Sequence, residues 1–308
     1  MTTTMFDTNS LTINSESWFI PIDILMITCT VSSVLLTIFF CIIIICDKTC
    51  HTIPMMLVAN SCLAQLIFGS DMLAMAIFTF HNDLKKIQYQ DSLCVFRGYL
   101  GYVATILQNH SYLLQAAYRY ITVVYPNRLS WQSARYQSLF IFLMWIFGFI
   151  GPLPYIITNQ IQYHVDDQIC QMPLGLSFLT IYNALCVYFI PMSLTILIYF
   201  KLVRYVRGMS KNITSTNTLL RAQRELKMVR QIVILIISVA TIGFPYAIFI
   251  FMSLFTSPPK YHFRIAFIFV DVSLPFAIIA LYKFTEALKT STTKIIYKRT
   301  NKITPAIA

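Results

Sequence analysis

The chain has 308 residues, of which 57% are hydrophobic and only 11% charged, with a formal net charge of +11. A mean hydropathy of +0.67 is more than a soluble domain of this size can keep away from water, so the composition excludes one and indicates an integral membrane protein. The eight cysteines include no Cys-x-x-Cys pair and no metal-ligand cluster, which excludes a zinc module, and no metal or cofactor is expected.

Residues 1–20 carry no basic segment followed by an apolar core, so no cleavable signal peptide is expected and the first apolar run serves as the insertion signal. Apolar runs follow at about 21–46, 53–80, 93–117, 138–158, 174–200, 228–255 and 263–282. Each approaches or exceeds the roughly 20 residues that cross a bilayer as a helix, which predicts an all-α membrane protein with seven transmembrane helices. The ends and connections are short, so residues 1–308 read as a single domain: a tail over 1–20, the spans over 21–282, and a closing segment over 283–308.

The basic residues are unevenly spread. Lys201, Arg204, Arg207, Lys211, Arg221, Arg224, Lys227 and Arg230 crowd the fifth connection, and Lys283, Lys289, Lys294, Lys298, Arg299 and Lys302 follow the last span. With Arg119, Arg128 and Arg135 they fall on one side of a seven-span chain, which places the N-terminus outside and the C-terminus in the cytosol of a plasma-membrane protein. The same distribution favours contact with anionic membrane lipid over nucleic acid. Cys94 and Cys170 then both lie on the outer, oxidising side and form the one plausible disulfide.

Charged and polar residues inside apolar spans are expensive and mark function. Arg119, within Tyr118-Arg119-Tyr120, falls 25 residues after Cys94, so a single helix separates the two by roughly 37 Å and carries them at opposite membrane faces. Asp271 lies deep in the seventh run. Arg97, Lys86 and Arg264 place positive charge near the outer mouth, where an anionic group would find charge-assisted hydrogen bonds. No His-Glu-x-x-His, phosphate-cradling glycine loop or nucleophile elbow is present, so an enzyme is not expected. A seven-span transporter or ligand-gated channel is the alternative class, although no pair of similar halves is visible.

The spacing of Cys94 to the Tyr-Arg-Tyr triplet resembles the third helix of rhodopsin-like G-protein-coupled receptors. Further landmarks extend the resemblance over nearly the whole chain: Trp145 with Pro152 and Pro154, Pro191 followed by Tyr199, Pro245, and Pro275 followed by Phe284 and Leu288 in a short amphipathic eighth helix. The resemblance implies an extracellular ligand, a peptide or a small anionic or chemosensory molecule, and a heterotrimeric G protein, with arrestin and a receptor kinase as further partners. It implies that Glu225 pairs with Arg119 across two helix ends, that Tyr199 replaces it in an open state, and that Pro191, Pro245 and Pro275 belong to the activation switch. It also places Gln65 and Gln108 in a central polar cavity, where they would hydrogen-bond Asp271. Arg97, Gly101, Tyr102, Asn183, Tyr246, Arg264 and Ile268 fall at ligand-pocket positions, beneath a loop over 160–173 whose partial alternation suits a hairpin lid.

Several positions depart from the family pattern. Tyr118 stands where an acid usually neutralises the arginine, Gln65 where the second helix has Asp, Gly243 where the sixth has Trp, and Leu274 and Ile278 where Asn and Tyr flank Pro275. Gly101 removes the ammonium anchor of amine receptors, and Ile268 removes the retinal lysine of opsins.

Overall fold

The computed structural model describes residues 16–175, 177–211, 220, 223, 226–227, 233, 244–253, 255–256 and 258–303, without the side chains of 210–211, 246–247, 284 and 295–303. Helices account for most of it: α1 Phe19–Cys46, α2 Ile53–Lys85, α3 Cys94–Val124, α4 Ala134–Ile150, α5 Leu153–Ile157, α6 Phe178–Asn183, α7 Ile190–Lys211, α8 Phe244–Ser253, α9 His262–Phe284 and α10 Glu286–Ile303. A hairpin of β1 Gln162–His164 and β2 Ile169–Gln171 connects α5 to α6.

Among the described residues, five helical stretches are long and apolar enough to cross a membrane: Phe19–Cys46, Ile53–Lys85, Ala134–Ile157, Phe178–Met209 and His262–Lys283. The third helix, α3, has 31 residues and so the reach, about 46 Å, but it is more polar than these and carries Arg97, Gln108, Gln115 and Arg119. It compensates by burial, since Gln108, Gln115 and Arg119 are each under a tenth exposed. Apolar side chains such as Leu35, Ile45, Phe142, Phe178 and Phe189 stay exposed on the outer faces, as lipid rather than water demands.

Proline sets the breaks. The fourth span divides at Gly151-Pro152, where Pro154 opens α5 within its first turn. The fifth widens into one π-helical segment, Ala184–Phe189, just before Pro191. Pro191 has no N–H for the carbonyl four residues back, and Asn109 of α3 donates to that Val187 oxygen at 2.8 Å instead. In α9, Pro275 interrupts the hydrogen-bond ladder, and Gln65 Nε2 reaches the neighbouring Leu274 carbonyl at 3.4 Å. At α4, Trp145 Nε1 donates to Asn60 Oδ1 at 2.8 Å and ties α4 to α2.

Helices approach closely where residues are small. A Cβ on Gly148 would come within 2.5 Å of Leu107 Cδ2, and one on Gly98 within 2.5 Å of the Cys170 carbonyl oxygen. The eighth helix expected after the last span is α10. Its Leu288 is fully buried against α1, α2 and α9, and Ser291 Oγ lies 3.0 Å from Thr49 Oγ1 in the turn between α1 and α2.

Candidate functional site

The N-terminal end of α3 is pinned to the hairpin. Cys94 and Cys170 form a disulfide with Cα atoms 5.5 Å apart, closing a sequence separation of 76. Tyr163 pairs with Cys170 across the hairpin, and Gln168 turns the chain in the left-handed region at φ 58°. Tyr102 of α3 donates to Gln171 Oε1 at 2.6 Å, and the Met172 amide donates back to the Tyr102 oxygen at 3.2 Å. The bare Cα of Gly98 lets the Cys170 backbone lie directly on α3.

Beneath the hairpin is a cavity of about 60 Å³, whose wall includes Gly101 and Tyr102 of α3, Asn183 of α6, and Phe68, Tyr188 and Phe267. Three of the expected pocket residues therefore meet there. Ile268 does not; α9 turns Ala266, Phe267 and Val270 to the cavity. The Tyr246 side chain lies outside the described residues.

Arg97 and Arg264 do not present guanidinium groups for an incoming anion. Arg97 makes two 2.7 Å hydrogen bonds to the Asp91 carboxylate and lies over the Phe78 ring at 4.6 Å. Arg264 is 2% exposed, with Nη2 at 2.5 Å from Asp83 Oδ2 and 3.8 Å from Asp23 Oδ1. Its guanidinium covers the Phe19 ring at 4.0 Å, and its backbone N–H donates to Asp167 Oδ1 at 2.9 Å. Gln168 completes the knot by donating to Asp83 Oδ1 at 2.8 Å, so that α1, α2, α9 and the hairpin turn meet in one ionic cluster. Of the three cations expected at the mouth, the two arginines are thus neutralised from within, while Lys86 is exposed.

Electrostatics in the hairpin follow from burial. It pushes the Asp167 carboxyl above the usual carboxylate range, opposed by the Arg264 amide and by the nearby His262, His164 and Arg264 charges. It lowers His164, whose Nε2 lies 3.2 Å from the Gln171 carbonyl and must donate to it, and raises the Tyr163 hydroxyl to about 12.

Deeper in the bundle, Gln108 Nε2 donates to Gln65 Oε1 at 2.7 Å and to the Tyr112 hydroxyl, and Gln65 donates to Ser33 Oγ at 3.3 Å. Ser61 continues the network, donating to Ser111 at 2.8 Å and accepting from Gln115 at 2.6 Å. Gln65 and Gln108 are brought together, but among the described residues Asp271 is hydrogen-bonded to neither, and its buried Oδ1 has no partner. Asp23, Asp71 and Asp83 were not singled out from the sequence. The signal was present, because an acid inside an apolar run is the same feature that marks Asp271.

At the other end of α3, Arg119 is 8% exposed and Tyr118 is 9% exposed. Tyr199 and Tyr120 pack against the cluster of Val123, Leu202 and Val206, so Tyr199 does reach the Arg119 end of the bundle. Glu225 lies outside the described residues, as does Gly243.

A family model described as 7 transmembrane receptor (rhodopsin family) matches residues 36–281. No curated protein matches the sequence. Among solved structures, squid rhodopsin is similar with a TM-score of 0.74 at 14% identity, over 94% of this chain and 87% of that one. At that identity the likeness concerns the fold.

Proposed function

The chain belongs to the rhodopsin family of seven-transmembrane receptors, and from that premise we propose that it binds an extracellular ligand in the cavity under the hairpin and activates a heterotrimeric G protein. The observation that carries this reading is the division of labour along α3. One end is clamped by Cys94–Cys170 and Tyr102 to a lid over a cavity, and the other buries Arg119 one helical turn from Val123, against whose cluster Tyr199 packs. Residues 1–20 and the hairpin face outward and α10 faces the cytosol, in keeping with the basic residues that gather around α10 and the fifth connection. The domain spans 1–308, and those basic segments favour approach of a G protein to the cytosolic face.

A ligand works through its preference for one of two states. In the resting state Glu225 holds Arg119. Tyr118 supplies no neighbouring negative charge, so Arg119 depends on Glu225 more than in receptors with an acid there. Activation releases the pair, Tyr199 takes over Arg119, and the sixth helix moves outward about Pro245. Gln65, Gln108 and the Pro275 break transmit the change between the two ends, with Asp271 at their upper edge. The transporter and channel alternative is less well supported, because the family model that matches most of the chain is that of seven-transmembrane receptors. No catalytic role is assigned.

The test is G-protein activation by wild type, Arg119→Ala and Glu225→Gln, without ligand and against a ligand panel. Glu225→Gln is expected to raise ligand-free signalling and Arg119→Ala to abolish stimulated signalling. Equal signals in all three proteins would overturn the mechanism, and a cytosolic N-terminus by glycosylation-tag mapping would overturn the receptor orientation.

A further inference from the structure

The cavity of about 60 Å³ under the hairpin has an uncharged wall. None of the described residues that line it is Asp, Glu, Lys, Arg or His. The stretch 231–259 covers most of the sixth apolar run and contains none of these five residue types, so it adds no charge wherever it reaches the cavity. The two arginines near the mouth are held by Asp91 and Asp83. An ionised ligand would therefore leave water for a site that offers it no counter-charge, which is prohibitive for a buried ion.

Two neutral amides in the same wall have donors to give. Gln171 of β2 is 5% exposed and Asn183 of α6 is 6% exposed, so the open space that each borders is the cavity. Their oxygens are already taken: Tyr102 donates to Gln171 Oε1 at 2.6 Å, and Tyr155 donates to Asn183 Oδ1 at 3.2 Å. The Met172 N–H supports the direction of the first bond, because it donates to the Tyr102 oxygen and the hydroxyl proton goes to Gln171. Among the described residues neither amide NH2 has an acceptor, which leaves the N–H donors of both unused at the cavity. A buried donor without a partner is costly, so the site calls for an acceptor, and the uncharged wall calls for a neutral one.

We propose that the ligand is a small uncharged carbonyl compound, held through its oxygen by the Gln171 and Asn183 amides; this names the ligand class of the receptor site above and rests on that reading. A carbonyl oxygen has two lone pairs and no proton, so it accepts from two such donors without carrying charge. The rings of Phe68, Tyr188 and Phe267 suit its apolar body. The volume of about 60 Å³ lies between the roughly 10 to 15 Å³ that holds a water and the roughly 150 Å³ that holds benzene, so a ligand of about four non-hydrogen atoms fits. The two amides also sit on different parts of the receptor. Gln171 belongs to the lid, tied to α3 by Tyr102 and by Cys94–Cys170, whereas Asn183 directly precedes the π-helical segment Ala184–Phe189 of the fifth span. A ligand that accepts from both joins the lid to that span.

The test uses the purified full-length receptor and reads ligand binding by thermal unfolding, with no G protein present. The probe is acetone, with acetate and isopropylammonium as anionic and cationic matches of the same size, each titrated into the millimolar range because so small a ligand binds weakly. Acetone is expected to raise the unfolding temperature saturably and the two ions to leave it unchanged. Asn183→Leu removes one set of donors at similar volume and should weaken acetone roughly three- to tenfold, the worth of one hydrogen bond. Gln171→Glu keeps an oxygen for Tyr102 and exchanges the donors for a negative charge. It should lose acetone and gain isopropylammonium, a reversal that lost packing does not produce; if that variant does not fold, Asn183→Leu carries the test. The proposal is overturned by either ion matching acetone in the wild type, by the absence of a saturable shift with acetone, or by an acetone affinity that survives the substitutions. G-protein signals that are equal in wild type, Arg119→Ala and Glu225→Gln would sink the function proposed above and leave a carbonyl site standing; the expected G-protein responses without an acetone shift would do the reverse.

Discussion

Replacing Arg264 with Gln tests whether the ionic cluster under the hairpin holds the bundle together. The guanidinium is 2% exposed and faces Asp83 at 2.5 Å and Asp23 at 3.8 Å, while Asp167 is held by the backbone amide, which the substitution keeps. Among the described residues Asp83 would retain only the Gln168 hydrogen bond at 2.8 Å, and Asp23 already has none. Removing one partner of a buried pair costs about 3 to 5 kcal/mol, because the remaining charge is stranded. Against a total stability of roughly 5 to 15 kcal/mol that is a large fraction. The assay is thermal unfolding of the detergent-purified protein, run as a double-mutant cycle with Asp83→Asn. Removing both charges should recover about 1 to 3 kcal/mol of the loss, the coupling expected of groups in direct contact. If Arg264→Gln costs less than about 1 kcal/mol, or the double variant is no better than the worse single one, the cluster does not support the fold in the way the geometry indicates.

Three further outcomes follow from the hairpin and the proline breaks. Burial depresses the folded-state pKa of His164, so its contribution to stability is present above its ordinary value of about 6.5 and is lost as pH falls through the lower folded value; a thermal melt should weaken between about pH 7 and pH 5, and less so in His164→Gln. Gly98→Ala drives a methyl into the Cys170 backbone and should cost about 1 to 3 kcal/mol in the same melt, whereas Gly208→Ala, with nothing within 4 Å, should be neutral or slightly stabilising. Asn109→Ala leaves the Val187 carbonyl without its donor and should cost about 0.6 to 1.7 kcal/mol in the same melt.

Spans, breaks and clamp were readable because each rests on a local property. Apolar runs of bilayer length, prolines at fixed places and a cysteine pair on one side require no knowledge of which helix faces which. The eighth helix was readable from Leu288, which is buried in the bundle. The pairing of charges was not. Arg97 and Arg264 look alike in the sequence, as cations at helix ends, and only packing shows that Asp91 captures one and Asp83 the other. Likewise Gln65 and Gln108 meet as expected, but among the described residues Asp271 is hydrogen-bonded to neither and shares a small cavity wall with Met72 of α2, a placement set by the relative rotation of α2 and α9. Helical periodicity gives the face of each helix and leaves that rotation open.

The arrangement also accounts for what replaces an acid at the centre of the bundle. At the level of Gln65 the described contacts are all amide and hydroxyl: Gln65 to Ser33 and Leu274, Gln108 to Gln65 and Tyr112, Ser61 to Ser111, Gln115 to Ser61. A carboxylate at residue 65 would need a counter-cation there, and its loss would strand a charge in hydrocarbon. An amide both donates and accepts, so it closes the same space with neutral bonds of about 1 kcal/mol each, which can exchange partners without exposing a charge. Among the described residues Asp271 instead lines a small cavity of about 10 Å³ together with Asp167 and Arg264, and Asp71 lies against the bare backbone of Gly101.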